Sequence, residues 1–181
     1  MNLKSIITVM ALILIMFMAA IETSIISLAL PTIKNSLNAG NLVSLVFTVY
    51  FIALVIANPI VGELMSRFKI INIAVVGVSL FALGSLMSGL SQTFIFLIIS
   101  RIVQGFGAGV MMSLSQIVPK LAFEIPLRYK IMGIVGSVWG ISSIIGPLLG
   151  GAILEFASWH WLFYINIPIA ILAIILVFMT F

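Results

Sequence analysis

Gly133-Ile134-Val135-Gly136-Ser137-Val138-Trp139-Gly140 runs on through Ile141-Ser142-Ser143-Ile144-Ile145 into Gly146-Pro147-Leu148-Leu149-Gly150-Gly151 without a single charge. An uncharged apolar stretch of this length matches the roughly 20 residues that cross about 30 Å of hydrocarbon. It sets the fold class as all-α and integral to the membrane. Proline inside such a helix removes a backbone hydrogen bond and bends it. Glycines every three or four residues leave a groove into which a neighbouring backbone can settle. The stretch reads as a transmembrane helix built to pack closely and to pivot.

The rest of the chain agrees. Of its residues 64% are hydrophobic and 7% charged, and the mean hydropathy is +1.41, far outside the soluble globular range. The first apolar stretch is too long for a signal-peptide core and lacks a small-x-small cleavage site, so it reads as a span. The absence of cysteine removes disulfides, thiolate metal sites and thiol redox chemistry. No nucleophile-base pair, metal-ligand cluster or phosphate loop stands out, so neither an enzyme nor a bound metal or cofactor is expected. The net charge of +4 comes from residues scattered between apolar stretches, which argues for membrane topology and against nucleic acid.

Turn residues and charges divide the chain into six predicted spans, approximately 5–30, 42–64, 71–90, 94–118, 130–156 and 160–181. With the N-terminus in the cytoplasm, that side receives Lys4, Arg67, Lys69, Lys120, Arg128 and Lys130, and the outer loops only Lys34. The positive-inside rule favours this orientation in a cell membrane. Trp159, His160, Trp161 and Tyr164 then fall at the outer interface, where amphipathic rings settle, and His160 reads as an interfacial residue. Six spans make the bundle that forms one half of transporters built from nested inverted repeats.

Two ionisable residues lie within the spans, Glu22 in the first and Arg101 in the fourth. Either charge costs at least about 2.5 kcal/mol at mid-helix, so each marks a functional site by default. Glu22 lies nine positions before Pro31 and Arg101 nine after Gln92, about 13 Å below the outer helix ends in both cases. At matching depth the two can pair, and the protonation of a carboxyl so placed responds to neighbours that move. A static pair that holds the helices in register is the alternative.

Gln104, Ala108, Met111, Met112 and Ser115 recur with Arg101 on one face of the fourth span, which reads as lining a substrate cavity. Methionines adapt to ligands of varied shape and equally serve as packing material. Gln104-Gly105-Phe106-Gly107-Ala108-Gly109 lacks the strand-turn-helix setting of a nucleotide site and reads as a close helix contact.

On these residues the chain resembles the major facilitator superfamily, and within it the drug:proton antiporters of the fourteen-span type. Ile21-Glu22-Thr23-Ser24 through Leu30-Pro31 looks like that group's first-span motif, with its acidic position at Glu22. Arg101-Ile102-Val103-Gln104-Gly105-Phe106-Gly107-Ala108 is similar to the fourth-span motif, whose arginine is implicated in proton coupling. Gly146, Pro147, Gly150 and Gly151 match the glycine-proline core of the fifth-span antiporter motif, with Ser142 where its first glycine is usual. Trp159-His160-Trp161 through Asn166-Ile167-Pro168 resembles the approach to the sixth span, with His160 in place of a common arginine.

The loop between spans two and three departs from the pattern. The superfamily's loop reads approximately G-x-L-A-D-R-x-G-R-K, and here Gly62-Glu63-Leu64-Met65-Ser66-Arg67-Phe68-Lys69-Ile70-Ile71 keeps Gly62 and Arg67, puts Ser66 in place of the aspartate, and loses the later basic pair. In the family this cytoplasmic loop is a gating element, so Ser66 puts the usual gating contact in doubt.

The resemblance implies the N-terminal half of a proton-coupled multidrug exporter working by alternating access. Its partners would be the lipid bilayer, protons, hydrophobic cationic small molecules, and a C-terminal half in the same or a separate chain. Glu22 would carry proton or cation coupling, Arg101 would tune it, and the bend at Gly146–Gly151 would seal the cavity against leak. A metabolite transporter of the same fold and a non-transporting half that pairs with a full-length relative are the alternatives. The chain itself reads as a piece of a longer protein, one product of a split gene, or a remnant.

Overall fold

The computed structural model describes residues 1–181. Helix α1 covers Leu3–Ser36. A short 3-10 turn at Gly40–Ser44 leads into α2, Leu45–Met65. Then follow α3 (Ile70–Gly89), α4 (Phe94–Ala122) and α5 (Leu127–Phe156). The last span is divided into a single turn, α6 (Trp161–Tyr164), and α7 (Asn166–Thr180). Six segments are thus long and apolar enough to cross a membrane.

Four features differ from expectation, and a proline lies at or near each. Pro31 and Pro119 were read as ends, yet α1 runs on to Ser36 and α4 to Ala122. Each proline frees one interior carbonyl, that of Ser27 or Ser115 four residues back, and inside a bilayer packing by neighbouring helices and local adjustment let the helix run on past it. The fifth span begins at Leu127, just after Pro126, whose fixed φ suits the position before a first turn. The sixth span breaks at Ile165, because Pro168 cannot donate to the carbonyl four residues back.

Helix α4 lies at the centre, packed most extensively against α3 and α2, while α1 packs mainly against α5, and α7 bridges α1 and α3. Glycine makes the first of these contacts possible. A methyl added at Gly107 would meet the backbone of Phe81 and come within 2.7 Å of the Gly77 carbonyl. One added at Gly109 would lie 2.6 Å from Ala57 Cβ on α2. The Gln104–Gly109 stretch is therefore a two-sided packing surface. The direct seam between α1 and α4 is narrower, and charged groups meet across it.

Helix α5 buries one stripe, Ile131, Val135, Val138, Ser142, Gly146 and Gly150, at spacings of three and four that follow the helical turn. The glycines of this helix were all expected to receive a neighbour. Gly146 lies against Ser24 and Ile25 of α1, and Gly150 against Ile25 and Leu28. Gly133, Gly136 and Gly140 lie off the stripe, and a methyl placed on any of them would meet nothing within 4 Å.

The two ends of the bundle differ. At one, Lys4 and Ser5 of α1 share a cleft of about 370 Å³ with Ile70 at the start of α3, Leu121 at the end of α4 and Thr180 at the end of α7. At the other, Trp159 is buried against a cluster that includes Ile33, Val46 and Leu97. There His160 stacks on Trp159 and its Nε2 lies 3.0 Å from the Ser91 carbonyl, while the Tyr164 hydroxyl donates to the Gly89 carbonyl at 2.7 Å.

Candidate functional site: a charged network inside the bundle

Glu22 of α1 and Arg101 of α4 face each other across the narrow seam. Arg101 Nη1 donates to Glu22 Oε1 at 2.6 Å, and the side chains are 0% and 1% exposed for Arg101 and Glu22. The guanidinium is held on several sides. Its Nε donates to the Val46 carbonyl of α2 at 3.0 Å, Nη1 also donates to Gln104 Oε1 at 2.9 Å, and the plane lies 4.2 Å from the centre of the Tyr50 ring. The Tyr50 hydroxyl in turn reaches the Ala19 carbonyl of α1. A fixed guanidinium fork stacked on an aromatic face is a role lysine cannot fill.

The second carboxylate oxygen is met from the sixth span. Asn166 Nδ2 donates to Glu22 Oε2 at 2.7 Å and to Ser85 Oγ of α3 at 3.0 Å. Ser85 Oγ donates onward to the Phe163 carbonyl at 2.6 Å. One carboxyl is thus bound by groups from α4 and α7, and through them linked to α2, α3 and α6. Arg101 Nη2, Gln104 Nε2 and Asn166 Oδ1 are buried without a hydrogen-bond partner. Unsatisfied polar atoms are costly and rare in native interiors, and three around one carboxyl mark a region able to rearrange its bonds.

Asn166, Ser85 and Tyr50 were missed as site residues. Asn166 lies within the Trp159–Pro168 stretch, and a lone amide at the start of an apolar span was the signal available. Ser85, one serine among several in α3, carried none.

The fourth-span face needs correction. Gln104, Ala108 and Met111 are fully buried inside the bundle rather than lining an open cavity, because α4 is enclosed by α1, α2 and α3. Met112 and Ser115 do border a cavity, of about 200 Å³, together with Met16, Gln116, Met132 and Trp139. The Trp139 indole N–H points at Met16 Sδ at 3.2 Å. Three methionines and an indole give this cavity a soft, polarisable wall.

Three of the antiporter-motif residues, Gly146, Gly150 and Gly151, lie on the α1 side of α5. Gly146 and Gly150 contact α1 just beyond Glu22, while Pro147 is exposed. In the loop after α2, Arg67 binds Glu63 Oε1 through Nη2 at 2.6 Å and Nε at 3.0 Å, and Ser66 Oγ donates to the Glu63 carbonyl. Both charged side chains are about two-thirds exposed, at 68% and 64%. Gly62 has open space around it.

A model of the Major Facilitator Superfamily matches residues 12–181. The chain belongs to that superfamily. It is 82% identical over 181 residues to the multidrug efflux pump SdrM of Staphylococcus aureus, covering all of this chain and 40% of SdrM. It is 33% identical over 174 residues to the multidrug transporter protein MdtP of Bacillus subtilis, covering 96% of this chain and 32% of MdtP. The fold matches the xylose transporter XylE from E. coli with a TM-score of 0.87 at 14% identity, over 98% of this chain and 48% of XylE.

As a superfamily member with six apolar helices, this is a multi-pass membrane protein of a transporter family. It spans well under half the length of the curated relatives above. The bundle corresponds to one half of a major facilitator fold.

Proposed function

We propose that this chain is the N-terminal bundle of a proton-coupled multidrug exporter that works by alternating access, sited in the cell membrane with its N-terminus in the cytoplasm. The observation that carries the reading is the Glu22–Arg101 pair, 2.6 Å apart and buried where charge is expensive. A buried pair of this kind contributes little net stability compared with apolar packing, so its retention calls for another use. Glu22 is the acid that gains and loses the coupled proton. Arg101 stabilises the ionised state, and Gln104 holds the guanidinium in place.

Gly146, Pro147, Gly150 and Gly151 give α5 a close, bendable contact with α1 beside Glu22, and so close the cavity to leak. Met112 and Ser115, with Met16, Met132 and Trp139, form the part of the substrate site that this bundle contributes. Soft methionines and an indole face suit hydrophobic cations. Ala108 and Met111 support that wall from behind. Gly62 and Arg67 mark the cytoplasmic gating loop, with Glu63 taking the arginine's charge in the place of the usual aspartate.

The remainder of the transport path comes from a C-terminal half, because alternating access requires one bundle to rock against another. The test is proton-driven efflux from vesicles carrying this chain together with such a half. Glu22→Gln keeps the side-chain shape and removes the titration. Efflux driven by a proton gradient should fall to background while the amount of inserted protein stays constant. Efflux at the original rate with the original pH dependence refutes the role.

A further inference from the structure

We propose that Asn166 is the positioning residue that reads the charge on Glu22, donating an N–H to the carboxylate and, after half a rotation of its side-chain amide, accepting a hydrogen bond from the carboxylic acid through Oδ1. This rests on Glu22 being the proton carrier. It adds a second residue, from the sixth span, through which protonation on α1 is felt at α3 and α6.

The geometry is specific. Both N–H bonds of Asn166 Nδ2 are in use, toward Glu22 Oε2 and Ser85 Oγ, while Oδ1 is buried and accepts nothing. An ionised Glu22 fits only this orientation, since the reversed amide would set two acceptors 2.7 Å apart.

Adding a proton creates a conflict. At Oε1 the new O–H would face Arg101 Nη1, and a guanidinium has no acceptor to offer. At Oε2 it would face the Asn166 amide, which can exchange a donor for an acceptor without moving its backbone, whereas the nearby Gln104 amide already has its Oε1 engaged by Arg101 Nη1. The proton therefore bonds to Oε2 and the amide turns, placing Oδ1 where Nδ2 stood. Oδ1 has two lone pairs. One accepts from the new O–H, and the other faces Ser85 Oγ. The Ser85 hydroxyl swings to meet it and releases the Phe163 carbonyl, its present acceptor at 2.6 Å. A proton on α1 thus unfastens α3 from the single turn α6, next to the break at Ile165.

Few other charges compete. Arg101 on α4 and, beyond it, the Tyr50 phenol on α2 are the titratable groups that face Glu22. Helices α3 and α7 carry no charged residue, the charged residues of α5 lie in its terminal turns, and the Tyr164 hydroxyl of α6 donates to the Gly89 carbonyl.

The experiment is pH-titrated infrared difference spectroscopy on the whole chain in lipid bilayers. The carboxylic C=O stretch of Glu22 is assigned as the band lost in Glu22→Gln. In the unmodified chain this band should lie at the position of an acid that donates a hydrogen bond. In Asn166→Leu it should move toward the free-acid position. In Asn166→Thr, whose hydroxyl both donates and accepts, it should return most of the way, which also guards against a leucine variant that misfolds. An unchanged band in Asn166→Leu overturns the proposal, as does a band that threonine fails to restore in folded protein. Absence of any Glu22 acid band across the titration overturns it too. The proton-carrier role is judged separately by Glu22→Gln efflux. If efflux coupling is lost there while the Asn166→Leu band stands still, the reading of Asn166 fails and that of Glu22 survives.

Discussion

Arg101 Nη1 and Glu22 Oε1 are 2.6 Å apart in space and 79 residues apart in sequence. They meet across the narrow direct contact between α1 and α4, beside which α7 and a shared apolar core also tie α1 and α5 to α2, α3 and α4. The pair concentrates the charge of the bundle interior in one contact.

That concentration predicts an asymmetric mutational response. Arg101→Met leaves the Glu22 carboxylate without its guanidinium and should destabilise the bundle by about 3–5 kcal/mol, the usual cost of stranding one member of a buried pair. Glu22→Gln combined with Arg101→Met should cost clearly less than Arg101→Met alone. Reversible unfolding in mixed micelles measures both. A double variant no more stable than the single one contradicts the pairing energetics.

Glycine substitutions should separate the inner contacts from the open ones. Gly107→Ala drives a methyl into the backbone of Phe81 on α3 and should cost about 1–3 kcal/mol by overpacking. Gly133→Ala meets no atom within 4 Å and should be neutral, or stabilising by about 0.5–1 kcal/mol through helix propensity. The same unfolding assay ranks them. Equal losses at both positions would refute the packing account.

Orientation is open to labelling. A cysteine at Arg128 in this cysteine-free chain should resist an impermeant thiol reagent applied outside intact cells and react in inverted vesicles. A cysteine at Lys34 should do the opposite, because the cationic ends of α1, α3 and α5 set the topology. Labelling of the Arg128 position from outside reverses the assignment.

Trp139→Ala should weaken recognition of hydrophobic cations by the complete exporter by about 0.5–2 kcal/mol, the range of a cation–π contact. Export of a neutral hydrophobic compound should change less. Transport competition between charged and neutral dyes reads the difference. Equal losses for both would assign Trp139 to packing alone.

What could be read from the sequence was what is costly in a bilayer. Glu22 and Arg101 stand out because each interrupts an apolar run, and their matching depths follow from counting along helices. The close packing of Gln104–Gly109 was legible because clustered small residues let a neighbouring backbone approach, but not that Gly107 meets α3 while Gly109 meets α2. Asn166 was not, since its meaning depends on α7 lying between α1 and α3, and no residue pattern states which spans are neighbours. The enclosure of Ala108 and Met111 was hidden for the same reason. A polar residue at one end of a helical face points to open water or to a buried partner, and only tertiary structure decides between them. Pro31 and Pro119 misled because a proline that would end a helix in water is tolerated within a packed membrane span.

The order of the network's members along the chain also bears on synthesis. Glu22 leaves the ribosome first, and neither its arginine nor its amide yet exists. The guanidinium follows 79 residues later and the amide 144 residues later. Until then α1 must enter the bilayer carrying an unmatched acid, and the long apolar run around Glu22 in this 34-residue helix supplies the surplus that makes this feasible. The carboxyl's bonding is complete only when the last of the six spans arrives. A nascent chain halted after α5 would hold the carboxylate by its arginine alone, with Oε2 still without the Asn166 amide, so the sixth span is the latch of this network.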